Sequence, residues 1–390
     1  MTIKIVILGS TGSIGSSTLK SIKGKKKFEV ELLTSNRNIK KLLSQAIKYK
    51  VKNAIIEDEK CFKKYYKIFK NKKIKLHLGI KNINNIFYKK VNYCINAISG
   101  IDGLEPTLKS IPHTKNILIA NKETIITGWD FIKKKLKLFN TNFIPIDSEH
   151  YSIWELTKNE KVNDIEKIIL TASGGPFLNK SKKITNNIKP KFALKHPNWK
   201  MGKKISIESS NLMNKIFEYI EAKKIFNIEK KNISILIHPT SFIHAIVFYR
   251  GNIIKLLAHT PNMIIPISNA LGIKSEVKKN ETTKNIQNLK DLSFYSVNVK
   301  KFPLIKLLDI IPENSSYFET VLITLNDCLV EKYLKGKINY VSIEQNLLKL
   351  IKGRVFMNYY KLKPKNVYDV KKMILFTKNY LENNLKHYDK

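Results

Sequence analysis

The chain has 390 residues, of which 43% are hydrophobic, and a formal net charge of +40. This length predicts two or three domains, and the lack of an apolar run of 18 or more residues argues against a membrane partner. The first residues are typical of a strand rather than a secretion signal. Cys61, Cys94 and Cys328 form no pair motif, which favours a reducing, cytoplasmic compartment and argues against structural zinc.

The positive charge has two interpretations. Clustered Lys and Arg residues could bind a polyanion, whereas a general drift in composition would scatter them along the chain. Lysines occur in nearly every segment, from 25–27 through 133–135 to 371–372, and no basic arm or RNA-binding motif stands out. We therefore expect no nucleic-acid partner, although a positive field would favour capture of an anionic substrate.

The first 150 residues alternate short apolar strands with longer helical patterns. The predicted strands are Ile3–Leu8, Phe28–Thr34, Ala54–Glu57, Tyr93–Ile98, Asn116–Ala120 and Phe143–Ile146, and the first helices are Ser16–Lys23 and Lys40–Tyr49. This rhythm predicts an α/β fold with an N-terminal Rossmann-like, doubly wound parallel sheet. Residues 1–150 would form a dinucleotide-binding domain.

The pattern changes after residue 150. Strands, Gly/Pro-rich loops and one helix predict a central α+β catalytic domain over 151–272, and a stretch rich in Lys, Asn and Thr predicts a linker over 273–312. Helical patterns then predict a C-terminal helical domain over 313–390. Its predicted helices are Tyr317–Leu334, Ile343–Tyr359 and Val367–Leu385.

A glycine-rich turn, Gly9–Gly15, follows the first strand and opens the first helix. Such a turn permits close backbone approach and aims helix N–H groups at a pyrophosphate, although a plain strand-to-helix turn is the alternative. After the second strand, Arg37 stands where an NAD site usually has an acid. Arg37 could pair with a 2′-phosphate, with Ser35 and Asn38 donating to it, which favours NADP(H). Alternatively, Arg37 lies on a solvated loop.

Two carboxylates follow the strand Phe143–Ile146. In an extended segment Asp147 and Glu149 would point to the same side, and an all-oxygen site suits Mg²⁺ or Mn²⁺ better than zinc. An Asp-x-Glu pair is more often a solvated surface turn, so a metal site needs a third ligand from elsewhere in the chain.

A predicted helix, Ser210–Ala222, could supply that ligand. Asn214, Lys215 and Glu218 would share one face of it, and Ser209 stands where an N-cap would be. An amphipathic helix with charge pairs on its solvated side would give the same pattern.

Three loops complete the set of motifs. Thr171–Phe177 contains Ser-Gly-Gly, which suits a phosphate or an oxyanion, and His196–Gly202 combines a bulky aromatic residue with a glycine hinge, as a lid would. Either loop taken singly could be an ordinary turn. His238 and His244 are six residues apart, which is not a recognised zinc spacing, and we expect structural roles for them.

Seven of these segments, in this order, resemble 1-deoxy-D-xylulose 5-phosphate reductoisomerases. They are GSTGSIG (9–15), ANKE (120–123), PIDSEH (145–150), ASGGPF (172–177), HPNWKMGKKI (196–205), MNKIFEYIEA (213–222) and HPTSFIH (238–244). The resemblance covers residues 1 to about 270, and the helical tail fits the family's third domain.

The resemblance implies an activity. The family uses NADPH and a divalent cation, Mg²⁺ or Mn²⁺, to convert 1-deoxy-D-xylulose 5-phosphate into 2-C-methyl-D-erythritol 4-phosphate in the non-mevalonate isoprenoid pathway, and it forms homodimers. The metal polarises the substrate carbonyl during a rearrangement that resembles a retro-aldol and aldol pair, and NADPH then delivers hydride.

The resemblance also implies site residues. The catalytic residues would be Lys122, Asp147, Glu149 and Glu218, of which the last three would bind the metal. The substrate-binding residues would be Lys122, Ser148, Glu149, Ser173, His196, Ser209, Asn214, Lys215 and Glu218. The cofactor-binding residues would be Thr11, Gly12, Ser13, Ile14, Asn36, Arg37, Asn38, Asn121, Glu123 and Gly202. A flexible lid over about 196–203 would carry Trp199 and Met201.

Two stretches depart from the family pattern, Pro261–Met263 and Ile323–Asp327, and they bear on domain packing or dimer geometry more than on the reaction. Two other functions stay open on the residues alone. An NADP-dependent semialdehyde dehydrogenase would need a nucleophilic cysteine in an active-site loop, which the motifs do not provide. A polyanion-binding protein on a dinucleotide fold would show salt-sensitive RNA retention without NADPH turnover.

Overall fold

The computed structural model describes residues 2–87, 89–180, 188–199, 201–274 and 286–385. Parts of every predicted domain therefore lie outside the described residues. They are residues 1 and 88 of the cofactor domain, residues 181–187 and residue 200 of the lid in the catalytic domain, residues 275–285 of the linker and residues 386–390 of the C-terminal domain.

Among the helices of the described chain, none combines the length and apolar character needed to cross a membrane.

The chain forms two compact units. The described residues of 1–154 and 262–277 make unit 1, and those of 155–261 and 278–390 make unit 2. The division into a cofactor domain, a catalytic domain, a linker and a C-terminal helical domain stays a prediction.

Unit 1 is built on a seven-stranded sheet in the order β4-β3-β2-β1-β5-β6-β7. Its strands are β1 (Ile3–Leu8), β2 (Phe28–Ser35), β3 (Asn53–Ile56), β4 (Lys75–Leu78), β5 (Val91–Asn96), β6 (Thr114–Ile119) and β7 (Asn142–Pro145). Every pairing is parallel, which confirms the predicted sheet. The strand order reverses between β1 and β5, and ligands bind at such switch points in open α/β sheets.

Helices bury the faces of this sheet. They are α1 (Ser13–Ser21), α2 (Ile39–Lys48), α3 (Glu59–Asn71), α4 (Leu104–Ser110), α5 (Lys122–Leu138), α6 (Ser148–Thr157) and, after a long excursion of the chain, α10 (Ile264–Ala270). Ile5, Leu33 and Leu42 are fully buried between strands and helices, and Ile267 of α10 belongs to the same core. Strands buried on both faces read as continuous apolar runs, as in β1.

Unit 2 contains a mixed sheet in the order β11-β10-β8-β9-β12. Its strands are β8 (Ile165–Ala172), β9 (Ile233–Ile237), β10 (Ile243–Tyr249), β11 (Ile253–Ala258) and β12 (Tyr295–Ser296). Among the described strands of this sheet, β8 and β9 pair in parallel and the other pairs are antiparallel. The helices are α7 (Pro190–Ala193), α8 (Lys203–Ser210), α9 (Met213–Phe226), α11 (Leu307–Ile310), α12 (Phe318–Leu334), α13 (Tyr340–Ile351), α14 (Arg354–Met357) and α15 (Val367–Leu385).

Three local predictions are wrong. The helix predicted over Ile343–Tyr359 is divided, because α13 ends at Ile351 and α14 begins only at Arg354. The segment from Asp147 to His150 is not extended, because α6 begins at Ser148 and the carbonyl of Asp147 accepts the N–H of Tyr151 at 2.7 Å. Ser209 is not an N-cap, because it lies in the last turn of α8. Leu212 has a φ of +62°, a left-handed conformation that ends one helix and redirects the chain into α9.

Candidate active site

The glycine-rich turn lies at the carboxyl end of β1. Gly9 has a φ of +73°, and a Cβ there would lie 2.8 Å from the carbonyl oxygen of Ala97. A Cβ on Gly15 would lie 2.5 Å from Cα of Ser10, so the helix and the turn approach too closely for a side chain. Within the described residues, α1 has Gly12 as its N-cap, and no capping side chain accepts the N–H groups of its first turn. This geometry fits a pyrophosphate.

Of the predicted cofactor-binding residues, Thr11 and Gly12 lie in this turn and Ser13 and Ile14 begin α1. Thr11 is also held in place, because its hydroxyl lies 2.9 Å from that of Ser35 and its carbonyl accepts Nζ of Lys41 at 2.7 Å. Ser35 is therefore engaged with the turn, although the sequence suggested it as a donor to a 2′-phosphate.

The loop after β2 presents Arg37 to solvent. Nε of Arg37 lies 3.4 Å from Oδ2 of Asp58, and the Arg37 side chain is 80% exposed. Asp58 is itself fixed, because its Oδ1 accepts the N–H of Cys61 at 2.8 Å and caps α3; this bond lowers the pKa of the Asp58 carboxyl. Asn36 is exposed, and Asn38 caps α2 by accepting the N–H of Lys41 at 3.3 Å. Sequence reasoning missed Asp58 as the partner of Arg37.

Asn121 is the N-cap of α5, and both polar atoms of its side chain form hydrogen bonds within the protein. Its Oδ1 accepts the N–H of Thr124 at 3.0 Å, and its Nδ2 donates to the carbonyls of Gly100, at 2.5 Å, and Ile98. Glu123 is buried in the first turn of the same helix. These bonds fasten the turn after β5 to the N-terminus of α5.

A buried lysine–carboxylate cluster lies at the carboxyl ends of β6 and β7. These strands pair in parallel, so the residues that follow them, Lys122 and Asp147, meet. Nζ of Lys122 lies 2.8 Å from Oδ2 of Asp147. Oγ of Ser148 donates to Oε2 of Glu149 at 2.5 Å, and Nδ1 of the fully buried His150 lies 4.0 Å from Oδ2 of Asp147. Carboxylate oxygens suit a hard cation.

A second such cluster lies on α9 in unit 2. Glu218 is 1% exposed and pairs through Oε2 with Nζ of Lys215, which is itself buried. Oε1 of Glu218 accepts Nδ2 of Asn214 at 2.5 Å. The shared helix face predicted for these three side chains is confirmed. These two contacts fix the orientation of the Glu218 carboxylate, as a metal ligand would require.

The Ser-Gly-Gly loop meets His196. Nε2 of His196 lies 3.0 Å from Oγ of Ser173, and Nδ1 accepts the N–H groups of Trp199 at 3.0 Å and Asn198 at 3.2 Å. Burial lowers the pKa of His196 to about 4, so the ring is neutral near pH 7 and this network assigns its proton to Nε2. Oγ of Ser173 also accepts the N–H of Gly175 at 3.1 Å. With both lone pairs of the hydroxyl engaged, its hydrogen is left to donate to an anion.

The described part of the predicted lid is tied to a neighbouring loop. Nδ2 of Asn198 donates to the carbonyl of Pro239 at 2.6 Å and to Oγ of Ser241 at 3.1 Å. The ring of Trp199 packs edge-on against His244, with centroids 5.9 Å apart. Gly202 begins α8 as its N-cap. Asn198 lies inside a recognised motif, but sequence reasoning assigned it no role.

A parallel sheet with an uncapped glycine-rich turn at its switch point, combined with buried lysine–carboxylate clusters, defines a dinucleotide-dependent oxidoreductase. Family models agree. The 1-deoxy-D-xylulose 5-phosphate reductoisomerase model matches residues 5–128, and models of that enzyme's C-terminal domains match residues 143–226 and 259–378. The chain belongs to the 1-deoxy-D-xylulose 5-phosphate reductoisomerase family, as the motifs predicted.

Relatives match along nearly the whole chain. The reductoisomerase of Pelagibacter ubique (strain HTCC1062) is 48% identical over 95% of this chain and 96% of its own length. That of Clostridium botulinum (strain Loch Maree / Type A3) is 35% identical over 87% of this chain and 89% of its own.

Solved structures of the family match in fold. The Zymomonas mobilis reductoisomerase, in complex with NADPH, has a TM-score of 0.85 and 28% identity, with 97% of each chain covered. A DOX-P reductoisomerase in complex with NADPH, fosmidomycin and magnesium has a TM-score of 0.90 and 28% identity, with 100% of this chain and 99% of the other covered.

Proposed function

We propose that this chain converts 1-deoxy-D-xylulose 5-phosphate into 2-C-methyl-D-erythritol 4-phosphate, an early step of the non-mevalonate isoprenoid pathway, using NADPH and a divalent cation. The observation that carries the proposal is family membership over almost the entire chain, with a relative 48% identical. The two reductoisomerase structures described above hold NADPH, and one also holds magnesium. When bound, the cation would polarise the substrate carbonyl and NADPH would supply the hydride.

The phosphate end of the substrate is assigned to unit 2. The hydroxyl of Ser173 has a hydrogen to donate because His196 and Gly175 occupy its lone pairs. Lys215 contributes a positive charge, and Asn214 and Ser209 add polar groups at either side of the turn between α8 and α9. Holding the non-reacting phosphate lets its binding energy align the reacting end.

Asp147, Glu149 and Glu218 are proposed to hold the cation together, as Mg²⁺ or Mn²⁺. Three carboxylates give the oxygen donor set that these ions prefer. Lys122 would orient Asp147 through their 2.8 Å ion pair and, with Ser148, contact the substrate's polar backbone. The ion pair of Lys215 with Glu218 would likewise orient a buried carboxylate for the metal.

NADPH is assigned to the glycine-rich turn and the loop after β2. The first turn of α1 would receive the pyrophosphate, and Arg37 would bind the 2′-phosphate, with Asn36 and Asn38 beside it. Asn121 and Glu123 at the start of α5, and Gly202 at the start of α8, complete the proposed cofactor set. His196, Trp199 and Met201 would close over the substrate as a lid and exclude water.

A homodimer is also proposed, in a cytoplasmic location. The edge strand β11 supports the dimer, because edge strands offer unpaired backbone groups and this one also exposes Ile253, Ile254 and Leu256. Light scattering should give twice the mass of the chain, and Ile254→Lys should raise the monomer fraction. A wild-type monomer at micromolar concentration would contradict the dimer.

The direct test of the reaction is product analysis. Purified protein with Mg²⁺, NADPH and 1-deoxy-D-xylulose 5-phosphate should yield one equivalent of the branched methylerythritol phosphate for each NADPH oxidised. NADPH consumption with a different product, or none with this substrate, would overturn the proposal.

A further inference from the structure

Two segments assigned to the substrate phosphate pack backbone to backbone in unit 2. A Cβ on Gly175 would lie 2.8 Å from the carbonyl oxygen of Ser209 and 2.9 Å from Cα of Ser210. No side chain could therefore stand between the Ser-Gly-Gly loop and the last turn of α8. The position of Ser209 relative to Ser173 therefore depends on the residues that contact both segments.

Tyr340, the first residue of α13, contacts both segments. Its hydroxyl lies 2.7 Å from Oγ of Ser210, and Oγ in turn donates to the carbonyl of Ile207 at 2.6 Å. Its ring packs edge-on against Phe177 at the end of the Ser-Gly-Gly loop, with centroids 5.4 Å apart and an interplanar angle of 79°. Tyr340 is 3% exposed, and burial raises the pKa of its hydroxyl well above the usual value, so it donates to Ser210 at neutral pH.

The neighbouring helix α12 holds the same turn from a second point. Nδ2 of the fully buried Asn326 donates to Oε1 of Glu208 at 2.7 Å. Nζ of Lys204, at the start of α8, lies 2.7 Å from Oδ1 of Asp327 and 3.6 Å from Oε1 of Glu208. Glu208 is 1% exposed and directly precedes Ser209. Asn326 and Asp327, two residues of the segment Ile323–Asp327, therefore both contact side chains of α8.

We propose that Tyr340 and Asn326 are positioning residues of the phosphate subsite, so that the C-terminal helices are part of the substrate site. This inference rests on the proposed function for the assignment of the phosphate subsite and for the identity of the substrate. The two residues act through Ser210 and Glu208, which flank Ser209, and through Phe177, which anchors the loop of Ser173. Small displacements of positioning groups reduce substrate binding and alignment disproportionately.

Tyr340→Phe tests the proposal most cleanly, because it keeps the ring against Phe177 and leaves Ser210 bonded to Ile207. The matched control is Tyr360→Phe, since Tyr360 is a half-buried tyrosine of the same helical region whose hydroxyl donates to the carbonyl of Ile351 at 2.5 Å. Asn326→Ala is the second variant. The measurements are KM for the sugar phosphate, KM for NADPH, kcat, inhibition by inorganic phosphate and the thermal midpoint.

In Tyr340→Phe, KM for the sugar phosphate and the inhibition constant of inorganic phosphate should rise together, by about fivefold, while kcat and the NADPH KM stay within about twofold. Tyr360→Phe should lower the thermal midpoint without changing either phosphate constant. The proposal is overturned if the phosphate constants of Tyr340→Phe equal those of the wild type, or if NADPH and phosphate constants worsen equally.

Direct titration with inorganic phosphate, followed by tryptophan fluorescence, separates this proposal from the proposed function. A wild-type protein that binds phosphate but does not turn over deoxyxylulose phosphate would contradict the proposed function. Weaker phosphate binding in Tyr340→Phe would still support the positioning role in that case. Normal turnover of deoxyxylulose phosphate by the wild type, with unchanged phosphate binding in Tyr340→Phe and Asn326→Ala, would support the function and overturn the positioning role.

Discussion

Nε2 of His196 lies 3.0 Å from Oγ of Ser173, and the other ring nitrogen accepts two backbone N–H groups. The backbone therefore determines which nitrogen carries the proton, and that proton determines the direction in which the Ser173 hydroxyl donates. A neutral histidine in this arrangement does not attract a phosphate through a positive charge. Instead, the His196 ring orients the Ser173 hydroxyl, which is an uncharged hydrogen-bond donor.

Replacing His196 should affect substrate binding before it affects the fold. In His196→Phe the hydroxyl of Ser173 loses its donor and can rotate, so KM for the sugar phosphate should rise by roughly tenfold with a smaller change in the NADPH KM. His113→Phe is the control, because His113 bonds Asn84 in unit 1 and belongs to no proposed site. Equal effects of the two substitutions on KM would contradict the assigned role.

The pH dependence follows from the lowered pKa of His196. Its folded pKa of about 4 lies below the ordinary value of 6.5, so the unfolded chain takes up a proton that the folded protein does not. The contribution to stability should be unaffected above pH 6.5, decline as pH falls from 6.5 to about 4, and level off below that. An NMR titration should show the His196 ring neutral at pH 6, and a midpoint near 6.5 would refute the neutral-donor account.

Arg37 should determine the preference for NADPH over NADH. Arg37→Ala removes a charge-assisted contact, which should weaken NADPH binding by roughly tenfold to a hundredfold and leave NADH binding nearly unchanged. Fluorescence titration of both cofactors measures this without turnover. Lys40→Ala is the control, because it removes one positive charge from an exposed side chain at the start of α2, three residues after Arg37. If both cofactors weaken equally in Arg37→Ala, Arg37 does not bind the 2′-phosphate.

Glu149 should be required for metal binding. Glu149→Gln keeps the shape of the side chain but removes a ligand charge, so calorimetry with Mn²⁺ should show at least about a tenfold loss of affinity and activity should fall steeply. Glu155→Gln on the same helix is the control, because Glu155 pairs with Lys158 on the outside of α6. Undiminished Mn²⁺ affinity in Glu149→Gln would show that Glu149 is not a metal ligand.

The parallel sheet and the glycine-rich turn were predictable from the sequence because each depends on local patterns. Strand β1 is a single apolar run, and Gly9 and Gly15 stand where only glycine fits. Strand β4 was missed because Lys75–Leu78 is short and its apolar residues alternate with lysine and histidine. The helix Val367–Leu385 has the predicted bounds.

Contacts between distant segments could not be predicted in the same way. Nothing local in the sequence pairs Arg37 with Asp58, Asn198 with Pro239 or Tyr340 with Ser210, because each pair is joined only by the folded backbone. The prediction for Asp147–His150 assigned an extended segment, whereas the structure begins a helix there. The aspartate at the end of β7 accepts the first helical hydrogen bond instead of continuing the strand.

The central claim is metal-dependent, NADPH-linked turnover of 1-deoxy-D-xylulose 5-phosphate, and one assay tests it most directly. NADPH absorbance is followed in the presence of the substrate with Mg²⁺, after addition of excess EDTA, and again after Mg²⁺ is restored. The account predicts oxidation that depends on the sugar phosphate, stops with the chelator and resumes with the metal. Oxidation that continues undiminished in EDTA, or no oxidation with Mg²⁺ and substrate present, would contradict it.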